Sequence, residues 1–272
     1  MAKYGATPFS FPEFRGATRR LILINLFAYF GLLLVQLAFR ADAFRFIAAL
    51  GFAPRAFLHG YVWQPLTYSF VHLGILGTLL ELLSLWFMAG FLETMNGANW
   101  ITGLYATSVL GTAVAATAIY AVHGTLGYSL PEGPLFGCFG GIFGLLVAIG
   151  TMYGDIEFIL FPLPIGIKAR YIAVIYALVS LAMLFGAMRM YAFAELGGAL
   201  AGLLYIRLSP RRGFSFAFSE TWYGLRNRYY RWKRRKAARK FEVYMRSQGR
   251  TVRFDGNGRQ IDEDHDDKKR WN

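Results

Sequence analysis

The chain alternates long apolar runs with short polar breaks, and six of the runs approach the length of a membrane crossing. They are Leu21–Phe39, Leu66–Phe91, Trp100–Val122, Leu135–Tyr153, Tyr171–Met188 and Tyr191–Leu208. A helix needs about 20 mostly apolar residues to cross a ~30 Å hydrocarbon core. Buried helices of a large soluble protein would supply one or two such runs, not six. The first run is longer than a signal-peptide core and no polar cleavage region follows it, so it reads as a retained span. The pattern predicts an all-α membrane protein, a bundle of six transmembrane helices. Its organisation is a cytoplasmic segment 1–20, a membrane domain 21–208 and a basic tail 209–272.

The connection after the first run, "RADAFRFIAALGFAPRAFLHGYVW", breaks the pattern. Arg40, Arg45 and Arg55 are interleaved with Phe44, Phe46, Ile47, Leu50, Phe52 and Phe57. Aromatic-rich, modestly charged sequence of this kind predicts a segment lying in the membrane interface.

Composition and charge sharpen the picture. With 56% hydrophobic and 17% charged residues, the chain is too apolar for a soluble globule of its size. The net charge of +13 is concentrated at the end: residues 207–272 hold 19 Lys/Arg against 8 Asp/Glu. Lys3, Arg15, Arg19 and Arg20 precede the first span, and Arg207, Arg211 and Arg212 close the last. Basic flanks on both ends of a six-span chain place both termini in the cytoplasm, with a bacterial inner membrane as the expected location.

Within the tail, Ser219 can cap a helix on which Trp222, Leu225, Tyr229 and Trp232 recur at helical spacing. The other face is basic, a combination that suits membrane lipids with anionic headgroups. Nucleic acid is the rival partner, and a helix following directly on a span reaches lipid first, so no nucleic acid is expected. Further on, "VRFDGNGRQI" predicts a small hairpin. It lacks the glycine and terminal glutamate of a calcium loop, and the end of the chain reads as disordered.

Candidate chemistry lies where ionisable groups fall inside spans, because each is costly there unless paired or hydrated. Span two carries His72 and Glu81, and span six carries Glu195. Span four carries Cys138 among Gly137, Gly140, Gly141 and Gly144, and Gly198 and Gly202 make a similar stripe on span six. Glycines four apart let another backbone approach, which predicts span four packed on span six with Glu195 turned toward span four. Cys138 is the only cysteine, which excludes an intramolecular disulfide and a Cys-based zinc site. No cofactor and no metal are expected.

Three motifs, "WQPLTYSFVH", "GCFGGIFGLL" and "AELGGALAGL", resemble in order and spacing those of the rhomboid family of intramembrane serine proteases. The resemblance covers roughly residues 15 to 210. The tail is more weakly similar to extensions on some bacterial rhomboid-like proteins. The family implies a serine nucleophile in Gly-x-Ser-Gly, a histidine base after alanine in span six, and His-x4-His-x3-Asn in span two. Matched position by position, Phe139 stands at the nucleophile, Glu195 at the base, and Gly77 and Glu81 at the second histidine and the asparagine. Only His72 is kept.

Phenylalanine offers no nucleophilic atom, and an ionised Glu81 would repel an oxyanion. Cys138 lies about 100° round the helix from the serine direction. The resemblance therefore implies a pseudoprotease that binds or retains transmembrane segments of other membrane proteins, with Phe139 plugging the former cavity. The two glutamates are expected to face that cavity and share a proton, a structural tie. The alternative is a protease or a proton- or cation-handling protein built on Glu81 and Glu195. A lipid-scrambling role is a further possibility to which no residue points.

Overall fold

The computed structural model describes residues 12–40, 42–126, 133–160, 165–186, 188–208 and 214–249, with positions 252 and 254. The chain divides into two compact units, Met1–Phe214 and Ser215–Asn272.

The first unit opens on α1 (Gly16–Phe39). Short helices follow: α2 (Ala43–Leu50), α3 (Pro54–Leu58), α4 (Gln64–Thr67) and a 3-10 turn over Tyr68–Phe70. Four longer elements come next: α5 (Ile75–Asn96), α6 (Ala98–Leu126), α7 (Phe139–Met152) and α8 (Ala169–Met183), then α9 (Arg189–Leu208). Between α7 and α8 lies an antiparallel pair that the apolar pattern does not announce. It joins β1 (Glu157–Leu160) to β2 (Ile165–Lys168), with Glu157 opposite Lys168 and Leu160 opposite Ile165.

Among the described residues four helices, α1, α5, α6 and α9, are long and apolar enough to cross a membrane, while α7 and α8 are apolar but shorter. The outward faces agree with a lipid surrounding: Phe27, Leu34 and Leu37 of α1 and Leu76 and Leu79 of α5 are exposed. Water does not tolerate so large a contiguous apolar surface.

Two predicted spans begin later than their apolar runs. The run from Leu66 does not form one helix, because residues 71–74 are not helical and α5 starts only at Ile75. The run from Leu135 likewise becomes helical only at Phe139. The cause is shared. Phe52 and Leu135 exchange backbone hydrogen bonds of 2.9 and 2.7 Å, and the Gly137 N–H donates to the carbonyls of Tyr68 and Val71. Backbone groups engaged with another segment are not free for a helix.

Glycine packing is the organising contact of the bundle. A Cβ at Gly198 would stand 2.6 Å from the Gly140 carbonyl oxygen, and one at Gly202 would stand 2.7 Å from Gly144 Cα. The backbones of α7 and α9 therefore touch at both places. α6 enters the same junction, which the glycine spacing does not reveal. Gly140, Gly141 and Gly144 lie against Thr112, Tyr105 and Ser108, and Gly111 of α6 lies against Ala201 of α9.

An unpredicted carboxylate holds the start of α1. Glu93, in the last turn of α5, accepts the N–H groups of Ala17 and Thr18 at 2.8 Å each and the Thr18 hydroxyl at 2.6 Å. An anion at a helix N-terminus satisfies unpaired N–H groups and meets the positive end of the helix dipole. Gly16, at φ +57°, makes the arrangement possible, since a Cβ there would strike the carboxylate.

In the second unit, α10 (Phe214–Ser247) runs through Ser219, which is therefore an interior residue and not the cap. The rings of Tyr229 and Trp232 stand 6.2 Å apart and both are exposed. The side chains of Trp222 and Leu225 and most of the expected hairpin lie outside the described residues.

Candidate functional site

Three chain segments meet at the start of α7. The non-helical stretch before α5 brings His72, the second turn of α5 brings Glu81, and the residue preceding α7 is Cys138. The Cys138 N–H donates to Glu81 Oε2 at 3.0 Å, and its thiol lies 3.6 Å from the same oxygen. His72 Nε2 is 3.2 Å from that oxygen. The carboxylate lies out of line with the ring N–H direction, so this is a close contact and not a hydrogen bond. Both ring nitrogens of His72 are buried without a hydrogen-bond partner.

The cluster is enclosed. The His72 side chain is 0% and the Glu81 side chain 12% exposed, and Cys138 is fully buried. Gly137 provides the room. It adopts φ +92°, and a Cβ there would stand 2.7 Å from Glu81 Oε2. Glu81 thus presents a carboxyl oxygen to the Cys138 N–H at the start of α7, where the helix dipole favours negative charge. One ligand atom from each of His72, Glu81 and Cys138 falls within 4.8 Å of the others, a spacing at which these side chains could share one metal ion.

The remaining sequence candidates are distributed differently from expectation. Phe139 is 39% exposed at the start of α7 and does not plug the buried cluster. The bridge at Leu135 and the bend at Gly137 turn Cys138 inward, so its neighbour must face out. Gly77 is exposed, and nothing lies within 4 Å of a Cβ built there.

Glu195 takes its hydrogen bond from α8 and not from α7. Its Oε2 accepts the hydroxyl of Ser180, on α8, at 2.9 Å. A buried serine is the polar donor at hand among apolar side chains, and it draws the carboxyl. The expected hydrogen bond between Glu81 and Glu195 does not form, because each takes a separate partner. Tyr191, one helical turn before Glu195, instead ties α9 to the segment entering α7. Its hydroxyl accepts the Phe136 N–H at 3.3 Å and donates to the Pro134 carbonyl at 3.4 Å. Sequence reasoning passed over Tyr191 and Ser180, as it did Glu93. Polar side chains recurring near glycine-rich stretches were the available signal.

A helical body with apolar outer faces and a buried polar cluster at one helix start defines an integral membrane protein. A family model described as "Eukaryotic integral membrane protein (DUF1751)" matches residues 22–213, and the chain belongs to that family. Among curated proteins no sequence matches significantly. The eukaryotic description of the family tells against the bacterial inner membrane expected from sequence.

Proposed function

We propose that this chain is a rhomboid-like pseudoprotease, a non-catalytic membrane protein that docks and retains transmembrane segments of partner proteins. The observation that carries the reading is the position of Glu81. Its carboxyl oxygen accepts the Cys138 N–H at the start of α7, so an acceptor already fills the place where acyl transfer would need a free donor for a developing oxyanion. The residue that follows is phenylalanine, without a nucleophilic atom, and Glu195 is engaged by Ser180 on α8. Nucleophile, base and oxyanion site are all missing from a scaffold whose glycine packing is kept.

In this reading six helices cross the membrane. At about 1.5 Å per residue, α7 and α8 reach roughly 21–23 Å, short of a ~30 Å core. For α7 the deficit is made up by the non-helical residues 134–138, whose backbone makes hydrogen bonds within the protein. The helices α2, α3 and α4, with Phe44, Phe46, Leu58 and Trp63 exposed, lie in the interface as an L1-type segment. Both termini then share one side, and the basic flanks make that side cytoplasmic.

The competing proton- or cation-handling reading needs Glu81 and Glu195 to work as one carboxyl pair. Their separate partners, Cys138 and Ser180, weigh against it.

The test is purified protein offered a fluorophosphonate probe and model transmembrane substrates, with photo-crosslinkers placed on the outer faces of α5 and α9. Uncleaved, crosslinked partner helices are expected. Cleavage, or probe labelling that depends on a residue of α7, overturns the proposal.

A further inference from the structure

We infer that His72, Glu81 and Cys138 form a binding site for a divalent metal ion of the zinc class. The inference does not depend on whether the protein cleaves substrates. Its first support is distance. In a tetrahedral zinc site with ordinary bond lengths, nitrogen and carboxylate ligands are about 3.4 Å apart and sulfur and carboxylate ligands about 3.6 Å apart. Here His72 Nε2 and Cys138 Sγ lie 3.2 and 3.6 Å from Glu81 Oε2, and all three ligand atoms fall within 4.8 Å of one another. The ligands come from three segments, and the carboxylate and thiol are brought together by the Gly137 bend.

The second support is independent of the distances. His72 is buried with neither ring nitrogen hydrogen-bonded. An unpaired polar ring inside a protein is unfavourable, and it aims a nitrogen at a carboxylate to which it is not aligned for a hydrogen bond. A cation between ring, carboxylate and sulfur would satisfy all three. Neutral imidazole, carboxylate and thiolate carry two negative charges together, which a dication balances in a low-dielectric site.

Nitrogen, oxygen and sulfur donors suit borderline metals and do not suit magnesium or calcium. The single cysteine rules out sites built on several thiolates, and the mixed ligand set comes only from the way the segments meet. On binding, the Cys138 thiol loses its proton to water as the sulfur–metal bond forms. Glu81 and His72 contribute lone pairs without redox change. The ion would pin α5 and the segment before it to the start of α7.

Cobalt(II) reports such a site optically. The full chain, purified without a histidine tag, is loaded with Co²⁺ or Zn²⁺, desalted and analysed for bound metal and absorption. About one equivalent of retained metal is expected, with a near-ultraviolet thiolate-to-cobalt band. As the chain holds one cysteine, that band can arise only from Cys138. The Cys138→Ser variant should lose the band, and His72→Gln and Glu81→Gln should lose retained metal while keeping the wild-type elution volume and helical circular dichroism. If a variant does not fold, the wild-type spectrum decides alone. Wild-type protein that retains no cobalt after desalting, or retains it without the thiolate band, overturns the inference.

Discussion

Gly137 and Glu81 occupy one space: the glycine lacks a side chain where the glutamate places its carboxylate, 2.7 Å from the position a Cβ would take. The glycine also holds φ +92°, a conformation L side chains rarely adopt. One residue therefore both bends the chain into α7 and admits an anion to the helix start.

Gly137→Ala should accordingly be among the most damaging small substitutions in the chain. The backbone strain alone is worth about 1–2 kcal/mol, and the clash adds to it. Adding Glu81→Ala removes the clash and leaves the strain, so the double variant should recover part of the loss in melting temperature. A double variant no more stable than Gly137→Ala alone would show that the two residues are not coupled.

Glu93 anchors the N-terminus of α1 through three hydrogen bonds. Glu93→Ala should destabilise the protein by about 1–2 kcal/mol, the range of a lost helix cap. Hydrogen exchange should rise first at Ala17 and Thr18, and Glu93→Gln, which keeps an acceptor oxygen, should lose less.

The contact of Gly202 with Gly144 leaves no room for a branched side chain. Gly202→Val must push α9 from α7, since the opposing atoms are backbone. Loss of thermal stability by several degrees is expected, while valine at exposed Gly77 should change it little. Melting of the two variants in the same detergent makes the comparison.

Restoring a hydroxyl should not restore a protease. With Phe139→Ser the new side chain faces outward, Glu81 still fills the helix start and Glu195 still accepts from Ser180. No cleavage of model transmembrane substrates is expected. The loss of stability should fall below the roughly 3–5 kcal/mol typical of truncating a buried phenylalanine.

The helix Phe214–Ser247 carries exposed Tyr229, Tyr230 and Trp232 beside Arg231, Lys233, Arg234 and Arg235. In nanodiscs with anionic lipid, hydrogen exchange over this helix should be slower than in neutral nanodiscs, and added salt should weaken the difference. Equal exchange in both would remove lipid as its partner.

The outline of the fold was legible in the sequence because it rests on local quantities. Apolar run length reports membrane helices, and glycines four apart report close backbone contact whatever the helices' directions. What a stripe cannot report is how many neighbours it receives. Thr112, Tyr105 and Ser108 of α6 share the junction that the stripes alone suggested for α7 and α9. Helix starts were misplaced for a similar reason. The runs at Leu66 and Leu135 are apolar enough to be helical, but their backbone groups are taken by distant residues, Phe52 among them.

The candidate site divides along the same line. The residue types at positions 72, 77, 81, 138, 139 and 195 follow from the sequence. Tertiary structure alone decided which of these groups meet. Glu81 and Glu195 looked like partners on helical geometry, yet a serine on α8 and a backbone N–H at α7 each claimed one carboxyl. Side-chain direction depends on the nearest available donor, and that donor is set by segments far away in the chain. The Leu135 bridge and the Gly137 bend, likewise, sent Phe139 outward and Cys138 into the cluster with His72.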